Sequence, residues 1–304
     1  MSTAAGTFDR RDAVDAVAVG FMLALTFSWG LNGVAAKLAN TGFNPIFLTL
    51  ARSALGGFLV FLWCRYRGIS LFAPDGTLRA GLLAGFLFGC EFTLIFVGLE
   101  YTTVARSTLM VNTMPFWVLI GAHFLLGEHM SLAKFGGLAL AFAGVVLVFS
   151  DKLSLPDPEA IVGDVMSLGG GLFWAATTLV IKRSRLVTAS AEKLLLYQLS
   201  VSAVMALPML LFAGPVFREV TFVPTAALLF QAIYVVAVTY VLWFWLMRRY
   251  PASGLSSFTF LTPVFGVLCG GLILNEPLSI RIFLALALIG AGLIIVNRPQ
   301  RQRA

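Results

Sequence analysis

Ten stretches of mostly apolar residues, each about 20 residues long, constrain this chain more than any other feature. A helix of that length crosses the roughly 30 Å hydrocarbon core of a bilayer and satisfies its own backbone hydrogen bonds there. The predicted spans are 14–38, 45–64, 78–99, 104–126, 132–149, 161–181, 194–212, 222–247, 252–274 and 280–296. The chain is 59% hydrophobic and only 12% charged, with a mean hydropathy of +0.93. We therefore predict an all-α membrane protein with ten transmembrane helices.

One segment of the chain occurs twice. Residues 115–148 align without a gap on residues 263–296, and eleven of the 34 positions are identical. Five spans fall in each copy, and an odd number of crossings turns the second copy upside down in the membrane. Inverted repeats of this kind are the architecture of many secondary transporters, which hold substrate near the midplane between the copies. The predicted units are a tail (1–13), the first five-helix repeat (14–150), the second, inverted repeat (161–297) and a basic tail (298–304).

The distribution of basic residues predicts the orientation in the membrane. With the N-terminus inside, fifteen Lys and Arg residues face the cytoplasm, five face outwards, and Arg52 lies within a span. Cytoplasmic loops carry the excess of Lys and Arg, so both termini are predicted to lie in the cytoplasm, at a bacterial-type inner membrane. This topology explains the net charge of +7 without a nucleic-acid partner.

Two charged side chains lie inside predicted spans, Arg52 in the second and Glu91 in the third. A charge at that depth costs about 2.5 to 3.5 kcal/mol or more, so such residues usually pair or face water. At 1.5 Å of rise per residue, both lie roughly 10 to 12 Å below the outer surface and within reach of each other. One alternative is a buried ion pair that only fixes helix register. In the other, Arg52 holds a substrate carboxylate or Glu91 accepts a proton.

Polar and aromatic side chains at mid-depth indicate a candidate pocket. Trp29 in the first span recurs as Trp174 after a shift of 145 residues, and a repeated tryptophan at this depth does not belong to the interfacial belt. Small polar side chains also hydrogen-bond between packed helices, so pocket lining and packing are both open. The candidate substrate-binding residues are Trp29, Asn32, Arg52, Glu91, Asn112, Trp174, Thr178, Gln198, Tyr234 and Thr259.

Each copy carries a proline within its fourth span, Pro115 and Pro263. Proline removes one backbone hydrogen bond and bends a membrane helix, which is tolerated where neighbours or a cavity satisfy the freed carbonyl. These prolines are candidates for a moving gate, and a static kink that improves packing is the alternative.

Glu128 and Glu276 are predicted to belong to the scaffold. Each lies three residues before a serine, Ser131 or Ser279, that is predicted to cap the next helix. An anion is favoured at the positive end of that helix. We expect both glutamates to shape the tight turn that follows the fourth span of each copy.

No cofactor, metal site or catalytic cluster is indicated. The three cysteines lie in predicted spans without C-x-x-C spacing, the two histidines are isolated, and a phosphate-binding P-loop is missing. An integral membrane enzyme acting on lipids would need a cluster of acids, histidines or metal ligands. A passive channel is the second alternative to a carrier.

The combined pattern resembles the drug/metabolite transporter superfamily and its EamA-type branch. Besides the ten spans and the prolines, the resemblance rests on Leu126-Gly127-Glu128, Leu274-Asn275-Glu276, Trp29-Gly30 and Phe173-Trp174-Ala175. Within the branch, the chain is similar to the YddG-type amino-acid exporters. The resemblance implies a central cavity between helices one to four and six to nine, and alternating access.

The expected function is a secondary transporter that exports amino acids, aromatic or other neutral ones, or similar small metabolites. A drug or metabolite efflux carrier of another substrate class is the alternative. The expected partners are a small-molecule substrate and membrane lipids. Proton coupling is open, and either a monomer or a homodimer is compatible with the sequence.

Overall fold

The computed structural model describes residues 11, 13–98, 101–150, 158–274 and 280–298. In this part of the chain nearly every residue is helical, and the only β-type pairing is one isolated bridge between Phe43 and Phe217. The predicted tails, 1–13 and 298–304, lie almost entirely outside the described residues, and so does Glu276. The all-α prediction is confirmed.

Ten membrane spans make up the described chain. Nine helical segments have at least 18 residues and are apolar enough to cross a membrane, counting α4 with α5, α9 with α10 and α11 with α12. The tenth, α13, has 17 residues, about the shortest length that spans a bilayer. The helices are α1 (Ala16–Gly42), α2 (Pro45–Arg67), α3 (Leu78–Gly98), α4 (Val104–Val111), α5 (Met114–Leu126), α6 (Leu132–Phe149), α7 (Pro158–Arg183), α8 (Ala191–Met209), α9 (Phe222–Leu229), α10 (Tyr240–Arg249), α11 (Ala252–Ser257), α12 (Leu261–Leu274) and α13 (Arg281–Asn297). A π-helical stretch, Phe230–Thr239, joins α9 to α10.

Several helices begin at a side-chain cap. The Ser131 hydroxyl accepts a hydrogen bond from the Lys134 amide at 3.2 Å, which confirms its predicted capping role. Asn44 and Ser190 cap α2 and α8 in the same way. Each cap satisfies one of the amide groups that have no partner in the first turn of a helix. The predicted counterpart Ser279 lies outside the described residues.

The fourth and ninth spans are interrupted at their prolines. Helix α4 ends at Val111, α5 begins at Met114, and Pro115 lies in the first turn of α5. A proline ring clashes with the carbonyl of the fourth preceding residue, here Val111, so the first helix stops there. In the second copy a 3-10 turn, Phe258–Phe260, separates α11 from α12, and Pro263 follows it. The expected bend is thus a break between two helices in each copy.

Helices α6 and α13 show the inverted symmetry most directly. They run antiparallel, and the backbone of Gly137 lies against that of Gly292. Gly144 lies in the same way against Ala285. The two copies are 148 residues apart in this region, so Gly137 corresponds to Ala285 and Gly292 corresponds to Gly144. Exchanging the two copies therefore converts the first contact into the second. The pseudo-two-fold axis therefore passes between these helices, which confirms the predicted inverted repeats.

The first helix begins and the last helix ends at the same end of the helix bundle, which we name the terminal side. A Cβ atom added to Gly254 would lie 2.9 Å from Val14 and 2.8 Å from Asn297, so the first helix begins where the last one ends. We name the other end the opposite side. There the Asn44 amide donates a hydrogen bond to the Val216 carbonyl at 2.9 Å and joins the two repeats.

On the terminal side, the loop between α2 and α3 is anchored to the second repeat. Lys193 of α8 pairs with Asp75 at 2.7 Å. The Thr77 hydroxyl donates to the same carboxylate at 2.6 Å. The hydrogen bond from Lys193, followed by that from Thr77, lowers the pKa of Asp75 to about 2. Asp75 is therefore ionised throughout the neutral range, which keeps the loop anchored.

Glu128 caps a helix of the other repeat. Its carboxylate accepts hydrogen bonds from the Ala252 amide at 2.8 Å and the Ser253 amide at 3.2 Å, and also from the Ser253 hydroxyl. These groups form the N-terminus of α11, whose positive dipole end favours an anion. We expected Glu128 to stabilise the N-terminus of α6, the helix that follows its own turn. This expectation is wrong, because Glu128 binds the N-terminus of α11 instead. The residue is part of the scaffold, but it links the two repeats.

Replacing Gly292 by valine should destabilise the contact between α6 and α13. An added Cβ would clash with the Gly137 carbonyl and lie 2.8 Å from the Ala141 Cβ. Overpacking of this kind costs about 1–3 kcal/mol, so the midpoint of thermal unfolding in detergent should fall. The matched control is Gly290→Val on the same helix, where nothing lies within 4 Å. An equal loss in both variants would contradict the prediction.

Candidate functional site

A cavity of about 220 Å³ lies between the two repeats in the middle of the bundle. Its wall comes from α1, α3, α7, α8 and α10, together with Val111 and Thr262 beside the two helix breaks. Ligand sites in proteins usually measure about 300–1,000 Å³, so this volume suits a small metabolite better than a large drug. Six candidates from the sequence line it: Trp29, Asn32, Glu91, Trp174, Thr178 and Gln198.

The aromatic part of the wall is centred on Trp29. Its ring meets the ring of Trp174 edge-on, with centroids 6.4 Å apart, so the matched tryptophans of the two repeats are in contact. Tyr240 and Trp243 surround the same ring at 6.3 and 5.5 Å. The Trp29 Nε1 donates a hydrogen bond to the Thr239 hydroxyl at 3.0 Å. These contacts hold the indole in one orientation and form a rigid apolar surface for a ligand.

The sequence candidates omit one wall of the cavity, which is formed by Tyr240, Trp243, Phe244 and Met247. These residues follow the i, i+3, i+4, i+7 spacing of a single helix face. The register of 148 residues also matches Tyr240 with Phe92, and Phe92 lines the cavity too. Either signal could have located this wall from the sequence.

Arg52 and Glu91 are both buried, with 4% and 5% of their surfaces exposed. Glu91 lies on the cavity wall, whereas the Arg52 guanidinium packs over the Phe92 ring, 4.2 Å from its centroid. The described part of the chain contains no ion pair between Arg52 and Glu91. The aromatic face attracts the guanidinium.

Several buried polar atoms of this region have no hydrogen-bond partner among the described residues. They are Nε of Arg52, Oε2 of Glu91, both amide atoms of Gln198, Oδ1 of Asn32 and the hydroxyl of Thr262. Buried polar groups are nearly always paired, because an unpaired one costs about 1–3 kcal/mol. All of these residues except Arg52 line the cavity, so unpaired polar groups are concentrated around it.

The remaining candidates lie away from the cavity wall and have protein partners. Asn112 donates a hydrogen bond to a carbonyl of α4 at 2.8 Å, at the helix break. Thr259 donates to the preceding turn at 2.7 Å, at the break of the second copy. Tyr234 is 42% exposed, and its hydroxyl lies 2.9 Å from that of Ser28.

The site offers three kinds of interaction to a small molecule. The Glu91 carboxylate can bind a cation, the Gln198 carboxamide can donate and accept hydrogen bonds, and the indoles can pack against apolar groups. Among the described residues, no three of the types His, Cys, Asp and Glu come together as metal ligands.

Known proteins resemble this chain over nearly its whole length. The transporter YoaV of Bacillus subtilis (strain 168), described as uncharacterized, is 25% identical over 276 residues, which cover 90% of this chain and 94% of YoaV. A protein of Escherichia coli (strain K12) named "Probable amino-acid metabolite efflux pump" is 25% identical over 280 residues, which cover 88% of this chain and 90% of that protein. One solved crystal structure superposes with a TM-score of 0.80 at 21% identity, covers 93% of this chain and 98% of its own, and supports the fold alone.

The sequence profile of one family matches each repeat separately. The profile of the EamA-like transporter family matches residues 16–150 and again residues 161–298. The two matches agree with the two inverted units that the packing of α6 on α13 defines. The chain belongs to the EamA-like transporter family.

Proposed function

We propose that the protein is a secondary transporter that exports amino acids, aromatic or other neutral ones, or similar small metabolites, by alternating access. The observation that carries this proposal is the cavity between two inverted repeats, where polar side chains face an aromatic wall. Family membership supports transport, and the name of the Escherichia coli relative supports the substrate class.

The chemistry of an amino acid matches the two halves of the cavity. The α-ammonium group would pair with Glu91, whose Oε2 atom has no protein partner among the described residues. The α-carboxylate would accept a hydrogen bond from the Gln198 amide and be attracted by the Arg52 charge. An apolar or aromatic side chain would pack against Trp29 and Trp243, whose ring centroids lie 5.5 Å apart.

The charge distribution of the sequence predicts which side of the membrane each end of the bundle faces. The excess of Lys and Arg favours the terminal side as the cytoplasmic one, so a substrate that is exported would enter the cavity from that side and leave at the opposite side. Glu91 is also the candidate proton carrier, because it is the carboxylate on the cavity wall. Exchange of a proton for the substrate ammonium at this one group would couple the two movements.

A carrier for small organic cations is the second candidate. Several aromatic rings around a single carboxylate also suit a quaternary or protonated amine, which cation–π attraction and Glu91 would hold. Such a ligand needs no partner for a carboxylate group. Amino acids and their decarboxylated amines, compared in competition, therefore distinguish the two candidates.

Purified protein in proteoliposomes should accumulate a labelled neutral amino acid against its concentration gradient when a pH difference of the coupling direction is imposed. Without an imposed gradient, the protein should only equilibrate the amino acid. Competition by unlabelled amino acids, their decarboxylated amines and a set of organic cations then identifies the substrate class. Equilibration without accumulation under every gradient would indicate a channel or an uncoupled carrier and contradict the proposal.

Replacing Glu91 by glutamine should weaken amino-acid binding by about tenfold or more. The change keeps the shape of the side chain but removes the charge, and a hydrogen bond to a charged group contributes about 1.5–3 kcal/mol. The measurement is the Kd of an amino acid and of its analogue without the amino group, and only the amino acid should bind more weakly. Glu159→Gln, at an exposed position at the start of α7, is the matched control. Equal affinity of wild type and Glu91→Gln for the amino acid would contradict the role of Glu91.

Replacing Trp243 by phenylalanine should weaken the binding of aromatic amino acids more than that of alanine. Aromatic pairs contribute about 0.5–1.5 kcal/mol beyond their buried area, which corresponds to a twofold to tenfold rise in Kd. Trp63→Phe is the matched control, because Trp63 is exposed on α2 and packs against Tyr66. The same small change for every substrate would show that Trp243 does not select for aromatic side chains.

A further inference from the structure

The contact between α4 and α7 separates the cavity from the opposite side in successive layers. At the cavity wall, Gly171 lies so close to the Val111 carbonyl that an added Cβ would be 2.8 Å from it. One layer further out, the Ser167 hydroxyl donates a hydrogen bond to the Ser107 hydroxyl at 2.8 Å, and both residues are buried. Backbone packing and a buried hydrogen bond thus close this route.

The outermost layer is a charged bridge between the two repeats. Asp164 accepts hydrogen bonds from the Thr102 hydroxyl at 2.7 Å and from Arg106 Nε at 3.2 Å. A second guanidinium nitrogen of Arg106 pairs with the other carboxylate oxygen, and the two side chains are only 12% and 11% exposed. Two-point pairing of this kind is strong, and separating it would leave two poorly solvated charges. The repeats cannot part here without breaking it.

The corresponding contact on the terminal side, between α11 and α1, lacks this bridge. The repeat registers of 145 and 148 residues match Asp164 with Val19 and Arg106 with Gly254, neither of which carries a charge. On that side Glu128 holds the N-terminus of α11 through two amide groups and the Ser253 hydroxyl. The Tyr250 hydroxyl, two residues before α11, donates a hydrogen bond to the Asp15 carboxylate at 3.0 Å. The interactions between the repeats therefore differ on the two sides of the cavity.

We infer that Thr102, Arg106 and Asp164, with Ser107 and Ser167 beneath them, form the gate that closes the cavity towards the opposite side. The inference rests on the alternating access proposed above, in which α4 and α7 would separate to release substrate on the opposite side. These are positioning residues that do not touch the substrate. A static helix contact would have the same geometry, but only a gate has to open in every transport cycle.

A cross-link across the gate tests this difference. In a full-length variant with Cys64, Cys90 and Cys269 replaced by alanine, Ser107→Cys and Ser167→Cys would place two sulfur atoms where hydroxyls lie 2.8 Å apart. Oxidation should lower transport in proteoliposomes by about tenfold or more, and a reductant should restore it. Each single-cysteine variant, oxidised in the same way, should keep its rate.

Two further measurements, of substrate affinity and of access to the cavity, show whether the cross-link acts on a gate. The Kd for substrate in detergent, read from tryptophan fluorescence, should stay within about twofold in the cross-linked protein, since the terminal side can still open. In the same cysteine-free chain carrying Thr177→Cys on the cavity wall, Arg106→Gln should speed labelling by an impermeant thiol reagent from the opposite side by about threefold or more. Reversing the pair with Arg106→Asp and Asp164→Arg should restore slow labelling.

Three results would each overturn the gate. They are unchanged transport after complete cross-linking, failure of the two cysteines to cross-link, and equal labelling of the Arg106→Gln variant and its parent. Protein that transports no amino acid before oxidation would count against the proposed function instead. The labelling experiment needs no substrate, so it tests the gate in that case too.

Discussion

The need to satisfy backbone hydrogen bonds inside a bilayer is the constraint on which the rest of this structure depends. A helix closes its own bonds, and irregular backbone is tolerated in a membrane only where protein or a cavity surrounds it. Within the described spans, the fourth is broken before Pro115, a 3-10 turn interrupts the ninth, and the eighth contains a π-helical stretch. Each irregularity adjoins a residue of the cavity wall, respectively Val111, Thr262 and Tyr240.

The cost of unpaired polar groups inside a bilayer also explains why few residues suffice for the candidate site and for the proposed gate. Buried polar atoms without partners cost stability, and several of them belong to Glu91 and Gln198 on the cavity wall. Beside the cavity, close helix contacts leave little space, as where Gly171 meets Val111. Tight packing and a buried ion pair are strong in one arrangement and lost in another, which is the property that the proposed gate requires.

Much of the fold could be predicted from the sequence because it depends on local or countable properties. Apolar length predicts the spans, and five spans per copy predict the inversion that the contacts of Gly137 and Gly144 display. The candidate site was predicted in part. Depth in the membrane follows from position along a helix, and it placed Trp29 and Trp174 at one level, where their rings meet. The rotation of each helix about its axis does not follow from position along the chain. The sequence therefore did not predict that Phe92, rather than Glu91, lies against the Arg52 guanidinium.

The sequence by itself determined an all-helical, ten-span chain of two inverted repeats, because hydrophobic length, capping residues and the repeat register act within short segments. Only the tertiary structure decided that Glu128 caps α11, that Arg106 pairs with Asp164 and that Trp243 faces Trp29. Each of these contacts joins the two repeats, across 58 to 214 residues of chain. They depend on how whole helices turn and pack against each other, and no local pattern specifies that.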